Sequence, residues 1–145
     1  MRHLTEIIVH CTATRKNWYE GRPIEDVVQE LTRWHVEDNS WSDCGYHVVL
    51  DRRGNVGYAR PMEKSGAHCR GRNKNSIGIT ILGGRGSQAD DEFRENYTEE
   101  QDTALRDLIA DLKSEHPSIT KVSGHNEHSN KACPGFDVED WLIGE

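Results

Sequence analysis

His125, His128 and Cys133 crowd into SGHNEHSNKACPGF (residues 123–136), a polar stretch with little to bury. Imidazoles and thiolates bind zinc, and they also serve as base and nucleophile, so the segment raises both kinds of chemistry. A further imidazole, His10, ends the apolar run TEIIVHC (residues 5–11), more than a hundred residues upstream. His10, His125 and Cys133 together would make a zinc site with three protein ligands. Its fourth tetrahedral position stays open for water, which separates a catalytic zinc from a structural one. A bound ion would also account for an ordered loop so poor in apolar surface. Taken singly, each residue is unremarkable in kind. A histidine at a strand end is ordinarily hydrogen-bonded or exposed, and the spacing His125 to Cys133 is not specific by itself. A cysteine hydrolase built on Cys133 and His125 is the weaker alternative. Pro134 follows the cysteine directly, so the helix N-terminus that commonly activates such a thiol begins poorly there.

Periodicity supplies the elements that must bring these side chains together. TEIIVHC reads as a buried strand. Pro23 suits the first turn of a helix in which Ile24, Val27, Val28, Leu31 and Trp34 recur at helical spacing to about Asp38. GYHVVLDRRGNVGYAR (residues 45–60) predicts a hairpin whose turn uses Gly54 at positive φ. SIGITILGG (residues 76–84) predicts another buried strand, and the acidic stretch from Asp90 to Asn96 a loop. Thr98 followed by Gln101 is a capping-box signature, opening a helix with Leu105, Leu108, Ile109 and Leu112 on one face and ending before Pro117. SITKVSG (residues 118–124) is a further strand that leads straight into the histidine segment. Asp137 then caps a short helix through Trp141. Helices alternating with strands, plus one hairpin, predict an α/β fold: a single domain over residues 1–145, with a mixed central sheet flanked by helices. Both histidines then fall at strand ends within one sheet, and the loop to Cys133 is long enough to turn back.

The totals exclude several function classes. At 145 residues with 34% hydrophobic and 30% charged residues, the chain is a polar globular domain with a thin core. A net charge of −7 argues against a nucleic-acid partner, which calls for a cationic face. The short basic strip CRGRNK (residues 69–74) fits a small anion- or substrate-contacting loop better. No segment has the length of a membrane span or the layout of a signal peptide, so a soluble cytosolic chain is expected. Cys11, Cys44 and Cys69 match neither a zinc-finger spacing nor a disulfide framework, and read as buried small residues or free thiols without an assigned role.

Four blocks carry a resemblance: IIVHCTAT (7–14), WSDCGYHVVLDRRGNV (41–56), SGAHCRGRNKNSIGITILGG (65–84) and GHNEHSNKACPGFD (124–137). In this order, and across nearly the whole chain, they resemble the small phage-type zinc N-acetylmuramoyl-L-alanine amidases, which share the fold of the peptidoglycan-recognition proteins. The resemblance implies Zn2+ as cofactor, held by His10, His125 and Cys133. It makes Tyr46 and Lys131 the catalytic groups that are not ligands. One would hold positive charge near a carbonyl oxygen, the other would donate a hydrogen bond or help move a proton, and the sequence leaves that division open. His68 and Asn75 are read as lining the substrate groove, and Arg72 as a partner for a stem-peptide carboxylate. His47 is expected to be structural, pointing across the sheet from Tyr46, and His128 to face solvent. His3, His35 and His116 carry no distinguishing context. The implied reaction is cleavage of the amide between N-acetylmuramic acid and L-alanine of peptidoglycan, by a monomeric endolysin held in the bacterial cytoplasm until release to the wall. Recycling of wall fragments in the cytosol is the nearest alternative, and a binding-only peptidoglycan module another, against which the complete ligand set speaks. The short segment before the first strand predicts no RNA polymerase binding of the kind tied to a longer N-terminal arm.

Overall fold

In the computed structural model, which describes residues 2–38 and 44–144, β1 (Glu6–Cys11) and β4 (Ser76–Ile81) lie side by side near the middle of a five-stranded sheet. They run parallel, with Glu6 beside Ser76 and Cys11 beside Ile81. β5 (Lys121–Gly124) continues the parallel array on the other side of β1, and β2 (Val48–Leu50) does so beside β4. β3 (Val56–Tyr58) pairs antiparallel with β2, giving the order β3-β2-β4-β1-β5. The expected mixed α/β sheet is therefore present. The β2–β3 turn forms where the Asp51 carboxylate accepts the backbone N–H groups of Arg53 and Asn55, and Gly54 takes φ +85°.

The two faces of the sheet differ because strand side chains alternate. Ile7, Val9, Ile77, Ile79, Ile81, Val48 and Leu50 point to one side, into the main core. There they meet Leu105, Leu108, Ile109 and Leu112 of α3 (Glu99–Glu115) and Val138 of α4 (Val138–Ile143). Both helices begin as their sequence dictates: Thr98 Oγ1 accepts the Gln101 N–H while Gln101 Oε1 accepts the Thr98 N–H, and Asp137 accepts from Asp140 N. The opposite face carries Val49 and Leu82, packed with Val27 and Leu31 of α1 (Ile24–Arg33). A methyl group on Gly57 of β3 would come within 2.7 Å of Ile24 and Val28, so the absence of a side chain lets α1 settle against the strand. On β1 the alternate residues of this second face are Glu6, Ile8 and His10, all buried and two of them ionisable.

Two expected boundaries shift. The first helix is α-helical only to Arg33 and continues as a π-helical turn over Trp34–Asp38. His35 Nδ1 in that turn accepts the Gly45 N–H at 2.7 Å, a tertiary bond that no propensity encodes. The acidic stretch read as a loop contains α2 (Phe93–Asn96), held by a capping box between Glu92 and Glu95. Its single buried residue, Phe93, stacks among Tyr97, Phe136 and Trp141. One aromatic anchor gives no periodicity to detect. Among the described residues, no helix is long and apolar enough to cross a membrane.

Candidate metal centre

Parallel pairing of β1 with β5 decides where the two histidines go. Val9 stands beside Gly124, so His10, still paired with Thr80 in the sheet, and His125, just past the end of β5, become neighbours. Their ring centroids are 4.6 Å apart. The chain then passes through a short 3-10 turn at His125–Glu127 and doubles back. Asn126 pins the returning loop by donating to the carbonyls of Ala132 and Phe136, and Tyr97 pins it by donating to the Pro134 carbonyl at 2.6 Å. This places Cys133 over the end of β1, where the Cys11 N–H donates to Cys133 Sγ at 3.1 Å. One ligand atom from each of His10, His125 and Cys133 lies within 4.8 Å of the other two.

The donor set suits a borderline-soft cation such as zinc, which imidazole and thiolate both bind well. His10 is 1% exposed. Burial, followed by the neighbouring His68 and His125, holds its pKa well below the usual imidazole range, and burial lowers His125 in the same sense. Both rings are therefore neutral at pH 7, the form that binds metal. A hydrogen bond between the thiols of Cys11 and Cys133 lowers Cys11 to about 7 and, with burial, raises Cys133, so a cation that takes Cys133 as thiolate must overcome that preference. The Cys11 amide, donating to Cys133 Sγ, works in the cation's favour by lowering the Cys133 thiol.

Tyr46 and Lys131 border the cluster differently. The Tyr46 ring lies 5.2 Å from that of His10, and burial pushes its phenol above the ordinary tyrosine range, leaving a neutral hydrogen-bond donor. Thr80 Oγ1, fully buried, lies against that phenol. Lys131 is exposed, and its ammonium acts electrostatically on both His125 and Cys133. A flexible cation thus overhangs the ligand pair from the rim.

Residues 2–136 match the family described as N-acetylmuramoyl-L-alanine amidase. The chain belongs to this family. The endolysin of Escherichia phage T7 is 36% identical over 135 residues, covering 93% of this chain and 83% of the relative. The endolysin of Enterobacteria phage K11 is 33% identical over 138 residues, covering 95% and 85%. Among solved structures, the N-acetylmuramoyl-L-alanine amidase LysC from Clostridium intestinale superposes with a TM-score of 0.76 at 23% identity, over 98% of this chain and 85% of that one. Drosophila PGRP-LB superposes at 0.79 with 19% identity, over 99% and 82%. These two likenesses concern the fold.

The three residues expected to touch substrate each have a partner within this chain. His68 is 8% exposed and lies behind His10, with Nδ1 at 2.8 Å from His10 Nε2 and Nε2 at 3.2 Å from Ser76 Oγ. Glycines at 66 and 78 leave the space its ring occupies. Arg72 spends its guanidinium on a carboxylate of this chain, Glu6, at 2.8 Å. Asn75 donates to the His3 carbonyl at 2.7 Å and precedes β4, whereas His10 stands opposite Thr80. At about 3.3 Å per residue along a parallel strand, that separates Asn75 from the cluster by roughly 16 Å. His47 is structural, accepting the Gly78 N–H and bonding the Lys64 carbonyl. It does not point across the sheet from Tyr46, because residues 45 and 47 are bends and regular strand begins only at Val48. His128 is half-buried and bonds Ser123 Oγ at 2.8 Å instead of facing solvent.

Sequence reasoning passed over Ser76, Gly78 and Thr80, which form the floor beside β1. The alternation in SIGIT, apolar residues to the core and small or polar ones between, was the signal available. Asn73, whose Oδ1 accepts the backbone N–H groups of both His68 and Cys69 at 2.9 Å, left no such trace. Residues 41–43, the start of the second matching block, lie outside the described residues.

Proposed function

We propose that the protein is a zinc amidase that hydrolyses the bond between N-acetylmuramic acid and L-alanine in peptidoglycan, as an endolysin does. The single observation that carries the reading is the convergence of two neutral imidazoles and one thiol, beside a phenol and an ammonium, in a chain of this family. His10, His125 and Cys133 would hold the ion. When bound, it supplies a Lewis acid that acidifies water and polarises a carbonyl. Tyr46 donates a hydrogen bond to the carbonyl oxygen as negative charge develops there, since its raised pKa keeps the proton in place. Lys131 brings positive charge to the same oxygen from the rim. Burial of His10 and Cys11 keeps bulk water away from the ligands' inner side. Hydrolysis leaves a lactyl carboxylate on the sugar and a free α-amine on alanine. A depression of about 480 Å³ opens where β1 ends, lined by Thr12, Arg15, Trp18, Trp34 and Arg85 among others. Its indoles and guanidinium groups suit a muramoyl-peptide, with sugar faces and carboxylates to contact.

The fold is monomeric in this reading, with no part for nucleic acid, for membrane or for an RNA polymerase. The chain acts from the bacterial cytoplasm on the wall once the membrane is breached. Mass spectrometry of digested wall tests the reaction: stem peptides with a free alanine amine are expected, and new reducing sugar ends would contradict it. Chelation should stop the release and zinc restore it.

A further inference from the structure

Behind the ligand cluster runs a chain of hydrogen bonds whose direction can be worked out. Ser76 Oγ lies 2.8 Å from the Arg72 carbonyl, and a carbonyl only accepts, so the single hydroxyl proton of Ser76 points there. Ser76 Oγ must then accept from His68 Nε2, 3.2 Å away, so this nitrogen carries the ring's proton. In a neutral imidazole the other nitrogen is then an acceptor. His68 is 8% exposed and its two nitrogens meet Ser76 and His10 rather than a carboxylate, so its buried ring is held in the uncharged form. Its Nδ1 therefore accepts, and the group 2.8 Å away, His10 Nε2, must be the donor. With the His10 proton on Nε2, Nδ1 is left bare.

The opposite arrangement shows why direction matters. Were His68 protonated on Nδ1, it would donate to His10 Nε2, and a neutral His10 would carry its proton on Nδ1. The lone pair needed by a cation would be occupied. We infer that His68, seated on Gly78 and anchored by Ser76, is a positioning residue that holds His10 as the Nε2–H tautomer and so presents Nδ1 to the metal. The inference rests on the proposed ion at His10, His125 and Cys133. It assigns His68 a role that requires no contact with substrate.

The ring is placed with care for such a task. A methyl group on Gly78 would approach His68 Cδ2 and Cγ to 2.6 Å, so only glycine lets the imidazole lie flat on the strand. Asn73 fixes its backbone, and the His47 ring packs edge-on against it with centroids 5.8 Å apart. Partners of this kind fix ring orientation and tautomer in metal sites, and their loss typically weakens metal affinity 10- to 100-fold.

Two measurements on the whole chain decide it. In metal-free wild-type protein at pH 7, two-bond 1H–15N correlation spectra should show both His10 and His68 protonated on Nε2. A proton on Nδ1 of either ring overturns the inference, whether or not zinc binds. Zinc affinity is then read by competition with a chromophoric chelator. His68→Ala should bind zinc about 10- to 100-fold more weakly than wild type. Ser76→Ala, which removes only the acceptor and keeps the ring, should weaken zinc in the same direction by less and let His68 populate the Nδ1–H form. Wild-type affinity in either folded variant overturns the inference. Should His68→Ala fail to fold, Ser76→Ala and the wild-type spectrum still decide. Failure of the wild type to bind zinc would sink the proposed metal centre instead, and the spectra would still report the tautomers.

Discussion

Replacing Gly78 with alanine asks whether the floor of the site is built around the His68 ring. The new Cβ would stand 2.6 Å from two ring carbons and 2.8 Å from Nδ1. Non-bonded heavy atoms are comfortable at about 3.5–4.0 Å, so the imidazole has to retreat by roughly 1 Å. It has little freedom to do so: both ring nitrogens are engaged, and a methyl group on Gly66 would already meet the same ring at 2.6 Å. Overpacking of this kind costs about 1–3 kcal/mol. Restricting the unfolded chain offsets about 0.4–1 kcal/mol of that. A net loss of about 1–2 kcal/mol remains, a five- to thirtyfold fall in the ratio of folded to unfolded protein. Urea unfolding of the metal-free variant measures it directly. Zinc affinity should fall as well, because displacing the ring lengthens the 2.8 Å bond to His10. A variant with the wild-type urea midpoint and wild-type zinc affinity would refute the reasoning, since the ring would then have had room to spare.

Tyr46→Phe keeps the ring beside His10 and removes only the donor, and Lys131→Ala removes an exposed cation. Each should retain zinc and lose about 10²–10³ in turnover on muramoyl-peptide, whereas Cys133→Ala should lose metal and activity together. Equal zinc loss in all three would make Tyr46 and Lys131 structural. The metal-free protein should weaken in acid. Burial lowers His47 from 6.5 to about 4, a depressed base whose stabilisation is present above pH 6.5 and drains away as pH falls toward 4. At about 1.4 kcal/mol per unit, His47 alone withdraws on the order of 3 kcal/mol. A urea midpoint that stays flat from pH 7 to 4, or the same slope in His47→Gln, would contradict this. Leu105→Ala, at a fully buried position of α3 against the sheet, should destabilise by about 2–5 kcal/mol in urea without altering zinc affinity. A change in affinity would couple core and site in a way that this packing does not suggest.

The legible parts of the sequence are those with local causes. The capping box at Thr98 and Gln101, the Asp137 cap and the Asp51–Gly54 turn each depend on neighbours a few residues away, and each stands where its pattern says. The strands of the central sheet announce themselves by apolar runs. α2 did not, because its stability comes from Phe93 meeting Phe136 and Trp141, more than forty residues further along. The ligand candidates were visible as residue types, and the family resemblance ordered them. The partners of Arg72, Asn75 and His68 were not legible for one reason: a polar side chain in a loop looks available until its partner is known. Glu6, the His3 carbonyl and His10 are those partners, and each lies at least 58 residues away in the chain.

By itself, then, the sequence determined the alternation of elements, the family and the residue types able to hold a cation. Tertiary structure decided which side chains are free to act. Parallel pairing of β1 with β5 set two imidazoles side by side, and a glycine in β4 made room for a third behind them. Hydrogen-bond direction is a property of the assembled group, because one proton on Ser76 constrains every nitrogen after it.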